Sequence, residues 1–158
     1  MKFEIINPES LGAPRGWSHG ILAPRDGRLL FVAGQAGWES GGATAGAATR
    51  ASAEGRSGSG LAPGTAAPPG FVDQFARALD KVLTVVQAAG GRPTDVARLT
   101  VYVTDLAAYR ASLKPLGEVW RARFGKYYPA MALVEVKGLV DHGALVEMEA
   151  TAVVGGSS

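Results

Sequence analysis

Residues 127–154 read YYPAMALVEVKGLVDHGALVEMEATAVV, and the alternation in this stretch decides the fold. Two runs, 130–136 and 145–154, put an apolar residue at every second position, the period of a half-buried strand. In the second run Val146, Met148, Ala150 and Ala152 share one face, small and apolar enough to pack under helices. Glu147, Glu149 and Thr151 share the other. In the first run Ala132, Val134 and Val136 are expected on the helix side, with Met131, Leu133 and Glu135 pointing away. The bare face then mixes glutamates with Met131, Leu133, Phe31 and Val153. It is either a half-exposed sheet with ordinary surface carboxylates or a subunit interface with carboxylates at its rim.

Working outward, "VARLTVYVT" (96–104) is a strand with Leu99, Val101 and Val103 on one face. Before it, Phe71, Phe75, Leu79, Val82, Leu83 and Val86 recur at helical spacing, and Gly90-Gly91 and Pro93 stop the helix. After it, Leu116, Val119, Trp120 and Phe124 mark a second helix. Pro115 sits in that helix's first turn or marks a break after a short turn at 106–112. Nearer the start, "KFEII" (2–6), "SHGILAP" (18–24) and "RLLFVAGQ" (28–35) read as strands. A hairpin is expected to join the last two through Asp26-Gly27. The order is β-β-β-α-β-α-β-β, an α+β arrangement with both helices on one face of a sheet. Residues 39–70 are almost entirely Gly, Ala, Ser, Thr and Pro. They bury too little apolar area to offset the entropy of ordering and read as a flexible loop within one domain of residues 1–158.

The 158-residue chain is 47% hydrophobic and carries a net charge of +2. The length suits one domain. The absence of cysteine removes disulfide frames and zinc-thiolate sites. No signal-peptide-like run opens the sequence, and no apolar run approaches the roughly 18 residues of a membrane span. A cytoplasmic protein is expected, with neither membrane nor nucleic acid as partner, since so small a net charge gives little electrostatic footprint for the latter.

The segments "LLFVAGQAG", "VARLTVYVTDLAAY", "YPAMALVEV" and "GALVEMEATAVV" together resemble the Rid family, also known as YjgF/YER057c/UK114. "RGWSHG" (15–20) is similar to a family segment with Tyr-Ser at its centre, here Trp17-Ser18. The resemblance covers nearly the whole chain outside the Gly/Ala-rich loop. It implies a chorismate-mutase-like fold, a homotrimer with a barrel-like core, and clefts between subunits that take small molecules. It also implies hydrolysis of reactive imines, with an arginine gripping the substrate carboxylate and a glutamate positioning water. The glutamate corresponds to Glu147. The arginine does not survive, because Pro129-Ala130 is followed by Met131, which neither carries charge nor donates a hydrogen bond. The loop "KGLVDHG" (137–143) and the region 109–125 also look longer than the common form. The sequence thus resembles a divergent branch in which standard 2-iminopropanoate deaminase activity is not expected.

Two functional readings follow. One is a hydrolase or hydratase of a small reactive metabolite, with Glu147 orienting water; the other is a non-catalytic small-molecule-binding module using the same cleft. Trp17 is expected to wall the pocket or to plug the sheet end. Gln35 and the backbone at Ala33 and Gly34 are expected to bond a ligand or to close the neighbouring loop, and Met131 to make the cleft apolar or to serve as a core methionine. Glu135 and Glu149 read as structural. His19 and His142 have no metal-ligand spacing, so no metal and no cofactor are expected. Ser18 lacks a base partner for nucleophilic work. Arg121, Arg123 and Lys126 read as a solvated helix end.

Overall fold

The computed structural model describes residues 2–38 and 69–155. The expected loop at 39–70 therefore lies outside the described residues except for Pro69 and Gly70. Six strands run in chain order: β1 (Glu4–Ile6), β2 (Gly20–Leu22), β3 (Arg28–Ala36), β4 (Val96–Val103), β5 (Ala130–Glu135) and β6 (Val146–Val154). Helix α1 (Phe71–Ala88) separates β3 from β4, and α2 (Leu106–Ala111) and α3 (Leu113–Phe124) separate β4 from β5. The second helical region is thus two helices meeting at Ser112, with Pro115 in the first turn of α3.

The main sheet has the order β3-β6-β4-β5 and is mixed: β6 runs antiparallel to both its neighbours, whereas β4 and β5 are parallel. The expected hairpin between the second and third strands does not form. A turn occurs at Arg25–Asp26, but β2 pairs with β1 and β3 pairs with β6. Seven paired positions along β6 outweigh what one local turn contributes to β3, as expected where strand pairing is set by burial of a whole face.

The core forms where the helical period meets the strand period. Leu79, Val82 and Val86 of α1 are fully buried against Leu99, Val101 and Val103 of β4 and Val146, Met148 and Ala152 of β6. Burial of each large aliphatic side chain stabilises by roughly 1.5–3 kcal/mol. Asp73 in the first turn of α1 complements the helix dipole. At the other end Gly90, at φ +81°, accepts a left-handed conformation. Its N–H donates to Gln87 O and that of Gly91 to Val86 O, closing the helix with a Schellman motif. In α3, Leu116, Trp120 and Phe124 are buried at successive i, i+4 positions.

The β4–β5 register corrects one expectation. Leu99 pairs with Met131, Val101 with Leu133 and Val103 with Glu135. Met131, Leu133 and Glu135 therefore lie on the helix side, and Ala132 and Val134 on the bare face. Both faces of 130–136 are apolar, so alternation alone carries no direction; the parallel pairing with β4 supplies it. The bare face retains Phe31, 75% exposed, with Leu29, Val134, Glu147, Glu149 and Thr151. Val153, expected among these exposed groups, is buried.

Candidate functional site

The segment before β2 is hooked onto the start of β5. Ser18 N–H donates to Pro129 O at 2.9 Å and its hydroxyl to Tyr128 O at 2.7 Å. Ser18 is buried, so its hydroxyl serves as a tether rather than a nucleophile. His19 is structural as well: its N–H donates to Asn7 Oδ1 at 2.8 Å, and its ring lies 3.2 Å from Gly12 O. The Trp17 indole stands edge-on to that ring at 4.5 Å between centroids.

This tether closes a cavity of about 550 Å³, within the range of sites that take small molecules. Arg15, Gly16 and Trp17 form one wall, and Leu113, Leu116, Gly117 and Trp120 of α3 another; Val101, Met131 and Leu133 line it from the sheet. Tyr109, Phe75 and Tyr128 complete the lining. Trp120 lies parallel to Tyr128, 5.6 Å away and 2° off plane, and stacks on Phe124 at 4.4 Å. Its indole N–H donates to Tyr127 O. Trp17 and Met131, both expected in the site, thus share one cavity, and Met131 makes it apolar. Arg15, Tyr109, Gly117 and Tyr128 were missed in the sequence. Of these only Tyr128 carried a signal, the concentration of aromatics at 120–128.

Glu147 lies on the opposite face of the sheet, beside the bulge at 33–35. Between Val32 and Gln35 the β3–β6 register shifts, and the Gln35 amide donates back to Ala33 O at 3.1 Å, closing the bulge. Gly34 lies against Glu147: a Cβ on Gly34 would collide with Glu147 Oε1. Among the described residues no hydrogen bond or ion pair holds the Glu147 carboxylate. Glu149, two residues on, accepts a hydrogen bond from the Tyr102 hydroxyl at 3.0 Å. That bond, with burial and the nearby charge, raises the Tyr102 pKa above its ordinary value. Beside it, a second hollow of about 460 Å³ is lined by Phe31, Ala33, Arg98, Thr100, Glu149 and Thr151 among others. Among the described residues the buried Thr100 hydroxyl has no hydrogen-bond partner. Glu135, meanwhile, accepts from Leu106 N–H at 2.9 Å and caps α2. His142 is exposed in the loop before β6.

Within one chain, then, the expected site residues fall on two faces of the sheet. Trp17 and Met131 share the helix side with an aromatic cavity, Gly34 and Glu147 meet on the bare face, and Gln35 pairs with the helix-side Met148. Among the described residues no group of His, Asp or Glu is placed to hold a metal ion, and no helix is long and apolar enough to cross a membrane.

A mixed β3-β6-β4-β5 sheet with helices packed on one face defines an α+β protein. The chain belongs to the YjgF/Rid family, whose model, described as Endoribonuclease L-PSP, matches residues 8–154. The 2-iminobutanoate/2-iminopropanoate deaminase of Capra hircus is 33% identical over 94 residues, 60% of this chain and 65% of that protein. A RutC family protein of Pyrococcus abyssi is 34% identical over 80 residues, 51% of this chain and 59% of that protein. The chain spans less than two thirds of the length of these relatives. Among solved structures, a Rid-family protein of unknown function from Yersinia pestis superposes with a TM-score of 0.70 at 27% identity. That match covers 98% of this chain and all of the other. E. coli TdcF with bound serine gives 0.54 at 25% identity, covering 90% and 91%.

Proposed function

We propose that this protein hydrolyses or hydrates a small reactive metabolite in a cleft shared between copies of the chain, with Glu147 orienting the attacking water. The observation that carries the reading is the Glu147 carboxylate, without a hydrogen-bond or ion-pair partner among the described residues and lodged in the space that Gly34 leaves open. A carboxylate without a protein partner has lone pairs to offer to water. Because Trp17 and Met131 lie on the other side of the same sheet, only a neighbouring copy can bring an aromatic cavity to Glu147. The exposed Phe31 and Leu29 on the Glu147 face supply apolar surface for that contact. A trimer with a barrel-like core and a chorismate-mutase-like fold is the assembly we propose.

Met131 marks the chain as a divergent branch in which ordinary imino-acid deamination is absent. With methionine in place of arginine, the bidentate carboxylate contact, about 1.5–3 kcal/mol, has no donor at this position. The test is ammonia release from freshly generated 2-iminopropanoate. The protein is expected to leave the rate at background, and Met131→Arg to raise it, provided light scattering shows the variant assembled and folded. Robust activity in the unmodified protein would overturn the assignment of Met131. A folded Met131→Arg variant with no gain favours a second reading, a non-catalytic binding module, which the apolar lining at Met131 and Leu133 supports.

A further inference from the structure

Among the described residues the aromatic cavity carries a single charged residue on its lining, Arg15. Among the described residues no hydrogen bond or ion pair engages its guanidinium. Its backbone is nevertheless fixed nearby, since Ser18 is tethered twice to the 128–129 strand entry. The cation is therefore held at the cavity from a different chain segment than β5, where Met131 stands. Among the described residues of one chain, no carboxylate lines the cavity to neutralise Arg15. The remaining lining is aromatic and aliphatic, with Trp17 on one side and the parallel Trp120–Tyr128 pair on another.

We infer that Arg15 is the anion anchor of this cavity, and that the cavity takes a planar aromatic carboxylate. Flat rings gain offset-stacked or edge contacts with Trp17, Trp120 and Tyr128 that an aliphatic chain of equal area does not. A guanidinium presents a planar fork of donors that matches a carboxylate. A neutral aromatic would leave that fork unused, and an aliphatic acid would leave the stacking surface unused. The inference rests on the proposed reading of this cavity as the ligand site, but it concerns binding and does not require turnover.

Titration calorimetry with indole-3-acetate, phenylacetate and the neutral indole-3-acetamide tests it. The two carboxylates are expected to bind at least about tenfold more tightly than the amide, a difference of about 1.4 kcal/mol. Arg15→Gln is expected to erase that preference while leaving amide binding unchanged. Raising the salt concentration weakens the carboxylates alone, because the anchor is exposed. Gly117→Leu fills the cavity from α3, where a Cβ meets only ordinary contacts, and is expected to abolish binding of all three in a folded protein. Equal affinity for acid and amide, indifference to Arg15→Gln, or no binding of either acid at millimolar concentration each overturns the inference. Acid binding without turnover of any imine leaves the inference standing and removes the hydrolase reading. Turnover that depends on Glu147, with no acid binding, does the reverse.

Discussion

Glu147 occupies the volume a side chain at Gly34 would need. A Cβ built on Gly34 falls on Glu147 Oε1, with the carboxyl carbon 3.0 Å away. The atoms in conflict are the far end of a flexible side chain, so a methyl group there can be accommodated if the carboxylate swings aside. Gly34→Ala is therefore expected to fold with a melting temperature close to the parent and to lose Glu147-dependent activity. The check is differential scanning calorimetry beside the activity of Glu147→Gln, which should match. An active Gly34→Ala would show that the position of the carboxylate is immaterial.

Phe31 tests the assembly. At 75% exposure it is among the most solvent-accessible large apolar side chains, and it stands beside Leu29 on the face that carries Glu147 and Glu149. Phe31→Glu is expected to shift the sedimentation coefficient from trimer to monomer at micromolar concentration without changing the far-ultraviolet circular dichroism. An unmodified protein that sediments as a stable monomer contradicts the shared cleft outright.

Gln74 is a buried amide in the first turn of α1 that satisfies three backbone groups, one just before the helix and two in the segment before β6. Its Nε2 donates to Pro69 O and Gly143 O, both at 3.0 Å, and its Oε1 accepts from Leu145 N–H at 2.7 Å. Gln74→Leu keeps the volume and strands all three. A loss of about 1–3 kcal/mol is expected in urea unfolding, since unpaired buried polar groups carry that cost. A change within a few tenths would mean that water replaces the amide.

Tyr127 gives a pH signature. Its hydroxyl donates to Val96 O, and burial, with the charge of Asp95 adding to it, holds its pKa well above the ordinary value of a tyrosine. A folded pKa above the unfolded one contributes stability below about pH 10 and loses it as pH rises towards the folded value. Tyr127→Phe should cost about 1 kcal/mol at neutral pH through the lost hydrogen bond. Alkaline titration followed by tyrosinate absorbance should lose its latest component in the variant. An unaltered titration would show that Tyr127 ionises as freely as the others.

Much of the frame was legible because two periods were clean. The helical spacing from Phe71 to Val86 and the alternation of Leu99, Val101 and Val103 each name a buried face, and all of those residues are buried. The run at 130–136 was not legible, since Met131 and Val134 are equally apolar and only the pairing of Met131 with Leu99 assigns its face. The same ambiguity hid the division of the site, by placing Met131 beside Glu147. Gln74 was silent for another reason: a glutamine at a helical position looks like surface, and its three partners lie 5, 69 and 71 residues away. Arg15 lay in a segment whose position depends on a hydrogen bond spanning 110 residues.

The central place of β6 bears on how the chain is born. Its neighbours β3 and β4 do not pair with each other; β6 enters between them and bonds to both. During vectorial synthesis β3 and β4 leave the ribosome with a gap that only residues 146–154 can fill. Until then each presents an open edge, with the apolar face of α1 partly uncovered. Domains that fold as units and depend on distant pairings are slow and aggregation-exposed in this interval. A nascent chain halted before residue 146 is thus a natural client for holdase chaperones, and release of the last strand is the event that commits it to its shape.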